Sequence, residues 1–65
     1  SMKKGDIVKL KDNPEYDWMN EYLGQHFEVE AIFEINCRVR MLDCPNPERY
    51  WFMEKTVFEI IGEEE

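Results

Sequence analysis

Tyr16, Asp17, Trp18, Glu21 and Tyr22 form the stretch of this chain best suited to recognition chemistry, with aromatic rings interleaved by carboxylates. That mixture suits a cationic ligand: an Arg or Lys side chain stacks on a ring face while a carboxylate neutralises its charge. Tyr50 and Trp51 can join the same surface if the fold brings them near. A competing reading folds Trp18, Met19 and Leu23 back as a lid over the apolar interior, because large aromatics favour burial. For Trp18 the lid is preferred. Tyr16 and Tyr22 are then the exposed pair, and either Tyr50 or Trp51 must point outward, since adjacent strand residues cannot share a face.

Catalytic chemistry has little material here. His26 is the only histidine and Thr56 the only threonine, and Ser1 ahead of Met2 reads as a cloning remnant. A dyad of His26 with Cys37 or Cys44 is opposed by alternation, which sets His26 on the wet face of its strand and Cys37 on the core face. Glu28 and Glu30 read as the solvated face of a strand rather than as an acid–base pair. Zinc needs about four ligands, and beyond the two cysteines only His26 is a soft candidate. No Gly-rich loop is present to cradle a phosphate. A non-enzymatic protein without metal or cofactor is expected. If residues 37–43 run as a strand, Cys37 and Cys44 lie about 20 Å apart, beyond disulfide reach, and read as free thiols in a reducing compartment.

With 65 residues, the chain has room for one domain, residues 1–65. So small a domain buries only about 60% of its unfolded surface, and four Phe, three Tyr, two Trp and four Met compensate with area per residue. Fifteen acids against eight bases give a net charge of −7. Direct binding to DNA or RNA is therefore not expected, because phosphate contacts need clustered Lys and Arg. Without a signal peptide or an apolar run of membrane-spanning length, a cytoplasmic protein is expected.

The elements that must position the aromatic loop follow from periodicity. Residues 6–10 form a first strand with Val8 and Leu10 on one face; Ile7 on the other suggests a place near an edge or beneath the following loop. Asn13 and Pro14 open the long excursion, which has room for a single helical turn setting Trp18 above Tyr22 at i and i+4. Gly24 ends it. From residue 27 to 33 every second side chain is apolar (Phe27, Val29, Ala31, Phe33), the longest period-two signal in the chain. Matching this face to Cys37, Val39 and Met41 sets Phe33 opposite Cys37, Ala31 opposite Val39 and Val29 opposite Met41. The loop is then Glu34, Ile35 and Asn36, with Asn36 left-handed, and Glu30 faces Arg40 with Glu28 diagonal to it. Pro45 and Pro47 stiffen the next loop. Residues 49–53 form a fourth strand, residues 54–56 a 3₁₀ turn, and residues 57–61 a last strand closed by Gly62, with an acidic tail at 63–65 expected to fray. Val29, Val39, Phe58 and Ile60 are assigned to the core.

This all-β order of five strands, with a long loop between the first two and a 3₁₀ turn before the fifth, resembles the SH3-like small barrel. Gly5, Asp6 and Val8 look like the "G-D-x-V" opening of SH3-like domains, including the Mind bomb/HERC2, KOW and bacterial types. Gly24 with Phe27 and Val29, then Val39 and Met41, is similar to their central hairpin. Trp51 and Phe52, followed by residues 57–61, resemble the closing segment, where a 3₁₀ turn precedes a "Y-V-E-L-I" strand. The proline-groove "A-L-Y-D-Y" opening and tandem Trp are missing, as is the basic KOW surface, so neither proline-motif nor RNA binding carries over.

The expected function is a protein-binding accessory or regulatory module, bacterial or phage, whose aromatic and acidic surface receives a basic segment of a partner. Its contact residues are Tyr16, Asp17, Trp18, Glu21, Tyr22, Tyr50 and Trp51. One alternative is an inhibitor that mimics nucleic acid, with Asp12, Glu15, Asp17 and Glu21 standing where phosphates would. The other is a structural module that buries aromatics in a homodimer.

Overall fold

The computed structural model describes residues 1–12 and 17–63, with only the backbone of Glu63. Strands β1 (Asp6–Leu10), β2 (His26–Ile32), β3 (Asn36–Met41), β4 (Trp51–Glu54) and β5 (Phe58–Glu63) make one antiparallel sheet in the order β4-β3-β2-β1-β5. A 3₁₀ helix at Asp17–Tyr22 lies between β1 and β2, and a 3₁₀ turn at Lys55–Val57 precedes β5. The fold is all-β and barrel-like, but the sheet does not close, leaving β4 and β5 as its edges. No helix among the described residues is long and apolar enough to cross a membrane.

The entry into β1 shows how local chemistry starts the sheet. Gly5 has φ +93°, which an L side chain rarely adopts, and the Asp6 N–H donates to the Lys3 carbonyl at 3.1 Å to close the turn. The buried Asp6 carboxylate accepts from the Lys3 N–H at 2.9 Å and from the Lys3 ammonium at 3.1 Å. The backbone bond from Lys3 chiefly holds the carboxyl below its ordinary range; desolvation opposes this, and the Lys3 side chain adds to the lowering. The turn is then tied to β2 by the Gly5 N–H, which donates to the Val29 carbonyl at 2.9 Å.

One face of the sheet is buried and the other faces water. Val8, Leu10, Phe27, Val29, Cys37, Val39, Met53, Val57 and Phe58 form a single cluster with Met19, which the 3₁₀ helix adds from above. Having no second sheet to pack on, the buried face covers itself. The Phe27 ring meets Phe58 of edge strand β5 at 5.6 Å between centroids and Trp51 of edge strand β4 at 5.8 Å. A central residue in contact with both edges requires the sheet to curl around it.

Two bulges accompany the curl, and they correct the expected register. Phe27 faces Met41 and Val29 faces Val39; beyond the shift at Glu30, Ala31 faces Arg38 and Ile32 faces Cys37. The expectation kept β2 regular as far as Phe33. The chain instead spends an extra residue on bending, as bulges do, and inverts the alternation beyond it. Phe33 consequently leaves the core and is 50% exposed, while Ala31 is only half-buried. Asn36 belongs to β3 without a positive φ, and its carbonyl accepts from the Phe33 N–H at 2.9 Å. On the wet face Glu28, rather than Glu30, sits opposite Arg40, whose Nη2 donates to Glu28 Oε1 at 2.9 Å. Glu30 takes the diagonal place, 3.6 Å from both Arg40 and Arg38.

The second bulge lies where β5 runs along β1: Ile7 faces Gly62 but Val8 faces Ile60. Ile60, assigned to the core from its alternation with Phe58, is 44% exposed, because β5 has no described strand beyond it to cover the side chain. Gly62 does not end the strand, which continues to Glu63 opposite Asp6; of the expected frayed tail, Glu64 and Glu65 lie outside the described residues. β1 lies near an edge, one strand in, between β2 and edge strand β5.

Two measurements check this packing. Phe27→Ala should destabilise by about 3–5 kcal/mol in urea titration, the scale of a large core truncation, whereas Ile60→Ala should cost under about 1 kcal/mol. Equal losses at both positions would contradict the buried centre and open edge. A double-mutant cycle between Glu28 and Arg40 should return a coupling of about 0.5–1 kcal/mol, and one between Glu30 and Arg40 a smaller value.

Candidate partner-binding surface

The aromatic loop is organised by the period of its helix. Three residues per turn put Met19 and Tyr22 on one face of Asp17–Tyr22 and send Asp17, Trp18 and Glu21 outward. Of the expected lid of Trp18, Met19 and Leu23, only Met19 is buried, at 2% exposed; Trp18 is 47% and Leu23 38% exposed. Tyr22, expected at the surface, is half-buried against the core. The helix ends in two turns, with the Leu23 N–H donating to the Asn20 carbonyl and the Gln25 N–H to the Tyr22 carbonyl, and Gly24 supplies the positive φ of +86° that leads into β2.

Edge-to-face contacts join this helix to the sheet. Trp18 meets Tyr22 at 6.0 Å, and Tyr22 meets Trp51 at 5.6 Å; Trp51 in turn rests on Phe27. Such pairs contribute roughly 0.5–1.5 kcal/mol each beyond the area they bury. The result is a continuous aromatic run from the centre of the core to the exposed edge of Trp18. Asp17 and Glu21, both exposed, stand on the helix that carries its outer end.

Arg49 completes the cluster. Its guanidinium lies 4.6 Å from the centroid of the Trp51 ring, and its Nη2 is 3.5 Å from the Tyr22 hydroxyl. A tight turn delivers it there: the Arg49 N–H donates to the Asn46 carbonyl at 3.2 Å, and the Asn46 side chain accepts from the Glu48 N–H at 3.0 Å. Sequence reasoning missed this residue, counting it only as the start of a strand. No local signal marks it, because alternation alone leaves open which of Tyr50 and Trp51 turns toward the aromatic loop.

Tyr50 does not join the site. It points to the opposite face of the sheet, where its ring meets Phe52 at 5.5 Å and the Arg38 guanidinium lies 5.5 Å from its centroid. Phe52 also contacts Phe33 at 6.1 Å, so Phe33, Tyr50 and Phe52 make a second aromatic patch, each member half exposed. The structure thus brings together Asp17, Trp18, Glu21, Tyr22 and Trp51 of the expected set and separates Tyr50; Tyr16 lies outside the described residues, as does Glu15. A polar groove of ≈ 250 Å³ on the wet face, lined by Lys4, Gly5, Glu28, Val29, Glu30 and Arg38, is distinct from both patches.

His26 is exposed at the start of β2, whereas Cys37 is fully buried in the core. Desolvation pushes the Cys37 thiol up to about 11, against a smaller opposing pull from Lys55. Comparison with known proteins brings no match: no family model, no curated protein and no solved structure matches this chain.

The two thiols, both free, should behave differently. Cys44, partly exposed on its loop, should react with an aromatic disulfide reagent at neutral pH, while Cys37, buried and with its thiol pushed up to about 11, should wait for unfolding. Because the folded thiol stays protonated to about 11 while the unfolded one ionises near 9.0, stability should fall as pH rises across that window. Chemical denaturation at pH 8 and about 10.5 checks the sign, and in Cys37→Val the Cys37 share of that loss should disappear.

Proposed function

We propose that this chain is a non-enzymatic protein-binding module, a cytoplasmic accessory or regulatory factor of bacterial or phage type, that receives a basic segment of a partner. The receiving surface is made by Asp17, Trp18, Glu21, Tyr22 and Trp51. The observation that carries this reading is the guanidinium of Arg49 lying 4.6 Å over the Trp51 ring, beside the Tyr22 hydroxyl. A surface that seats one cation on its rings has the shape and the π-face for such a group, and Asp17 and Glu21 add the charge that draws a basic segment in. The net charge of −7 favours the same class of partner at longer range.

A second reading, self-association, draws on the other face. Phe33 and Tyr50 each meet Phe52, yet all three remain half exposed, the kind of contiguous apolar patch that copies of a chain can bury.

The experiment begins with affinity capture of the partner from the native host, followed by titration of the parent and variants at two salt concentrations. Trp18→Ala should leave the thermal midpoint nearly unchanged and weaken binding by about 2 kcal/mol, the scale of an interface hot spot. Asp17→Asn with Glu21→Gln should weaken binding mainly at low salt. If these variants bind like the parent while Phe52→Ser loses binding, the surface lies on the opposite face. If the parent sediments as a dimer that Phe52→Ser dissociates, self-association is the better account.

A further inference from the structure

Arg49 stands out among the cations of this protein by where it rests. Arg38 pairs with Glu30, Arg40 with Glu28 and Glu30, Lys9 with Glu59 and Lys3 with Asp6. Alone of the three arginines, Arg49 has no carboxylate partner among the described residues; Lys4, Lys11 and Lys55 also have none there, but none of them rests on a ring. Its contacts are a ring face and a phenolic hydroxyl at the outer limit of hydrogen-bonding distance. The side chain is exposed, and its loop is held by its own turn, so it can swing away without opening the core.

We propose that Trp51 and Tyr22 form a guanidinium-binding site which Arg49 occupies in the unbound protein as a displaceable internal competitor. This rests on the aromatic surface proposed above and specifies its ligand: an arginine side chain of the partner in preference to a lysine. The planar guanidinium is weakly hydrated and stacks flat on the indole while directing an N–H at the Tyr22 hydroxyl; a compact, strongly hydrated ammonium does the first poorly. A basic partner segment can also set its neighbouring cations against Asp17 and Glu21, exposed on the helix that carries Tyr22. The exchange therefore replaces a cation that has no described carboxylate partner with one whose own segment gains further charge contacts. Arg49 sets a threshold that weak or lysine-only segments do not pass.

The test uses the intact chain and a synthetic peptide of alternating Arg and Gly, with its Lys counterpart as the second probe. Binding is followed by tryptophan fluorescence and by the indole N–H resonances of Trp18 and Trp51. Arg49→Gln should bind the Arg peptide roughly two- to fivefold more tightly than the parent, the range set by loss of one exposed cation–π competitor. The Lys peptide should gain less than the Arg peptide. Lys4→Gln makes the same change in charge but lies at the polar groove, and should bind like the parent. In the parent, the Arg peptide should shift the Trp51 indole and the Arg49 Nε resonance together.

Each contrary outcome has its own meaning. An equal gain in Lys4→Gln would reduce the effect to bulk charge and overturn the competitor. Tight binding by the parent and Arg49→Gln alike would also overturn it, while leaving the aromatic surface in place. A gain of the same size for the Lys peptide would overturn the selectivity. If no variant binds and neither indole moves, the surface itself is wrong and both proposals fall.

Discussion

The ring of Phe27 is the constraint on which the molecule turns. A single sheet with one apolar face and no second layer can hide that face only by curling onto itself, and the curl needs something to close upon. Phe27 supplies it from the central strand, touching Phe58 on one edge and Trp51 on the other. The bulges at Glu30 and Ile61 bend β2 and β5 enough for both edges to arrive. The proposed recognition surface is built on that contact. Trp51 is positioned by Phe27, Tyr22 by Trp51, and Trp18 by Tyr22, so a disturbance at the core reaches the surface through three ring contacts.

Charge is distributed to match. On the wet face of β2 and β3, Glu28 and Glu30 are answered by Arg38 and Arg40, which leaves that face close to neutral. The excess of acids falls largely on the loops and the tail, including the helix that carries Trp18. The pairs on β2 and β3 are partly buried, so besides removing charge from the sheet they add a modest cross-strand coupling.

Much of the fold was legible because short-range rules govern it. Alternation in residues 6–10 located β1 and its buried side chains, Gly24 marked the end of the long loop, and the 3₁₀ turn before the last strand appeared within one residue of its expected place. The failures share a cause. The apolar alternation from Phe27 to Phe33 is unbroken in the sequence, yet the curl demands a bulge within it, and nothing local announces that demand. Ile60 has the pattern of a core residue and loses burial only because no strand follows β5 in the sheet. In the loop, the helix has a period of three rather than four, which turns Trp18 outward and leaves Met19 alone of the expected lid buried. Arg49 was invisible for a different reason: its importance comes from Trp51 and Tyr22, one of them far along the chain.

The pairing of the first strand with the last has a consequence for synthesis. Leu10 waits for Phe58 and Asp6 for Glu63, so the β1–β5 ladder is made of contacts distant in sequence. Chains rich in such contacts fold slowly, and on a ribosome β1 has only β2 to pair with until the final strand has emerged. During that interval the hairpin of β2 and β3 can form, but Phe27 lacks Phe58 and the apolar face stays open. The nascent chain therefore passes through a sticky, half-curled stage that ends when β5 docks on β1 and brings Phe58 to Phe27.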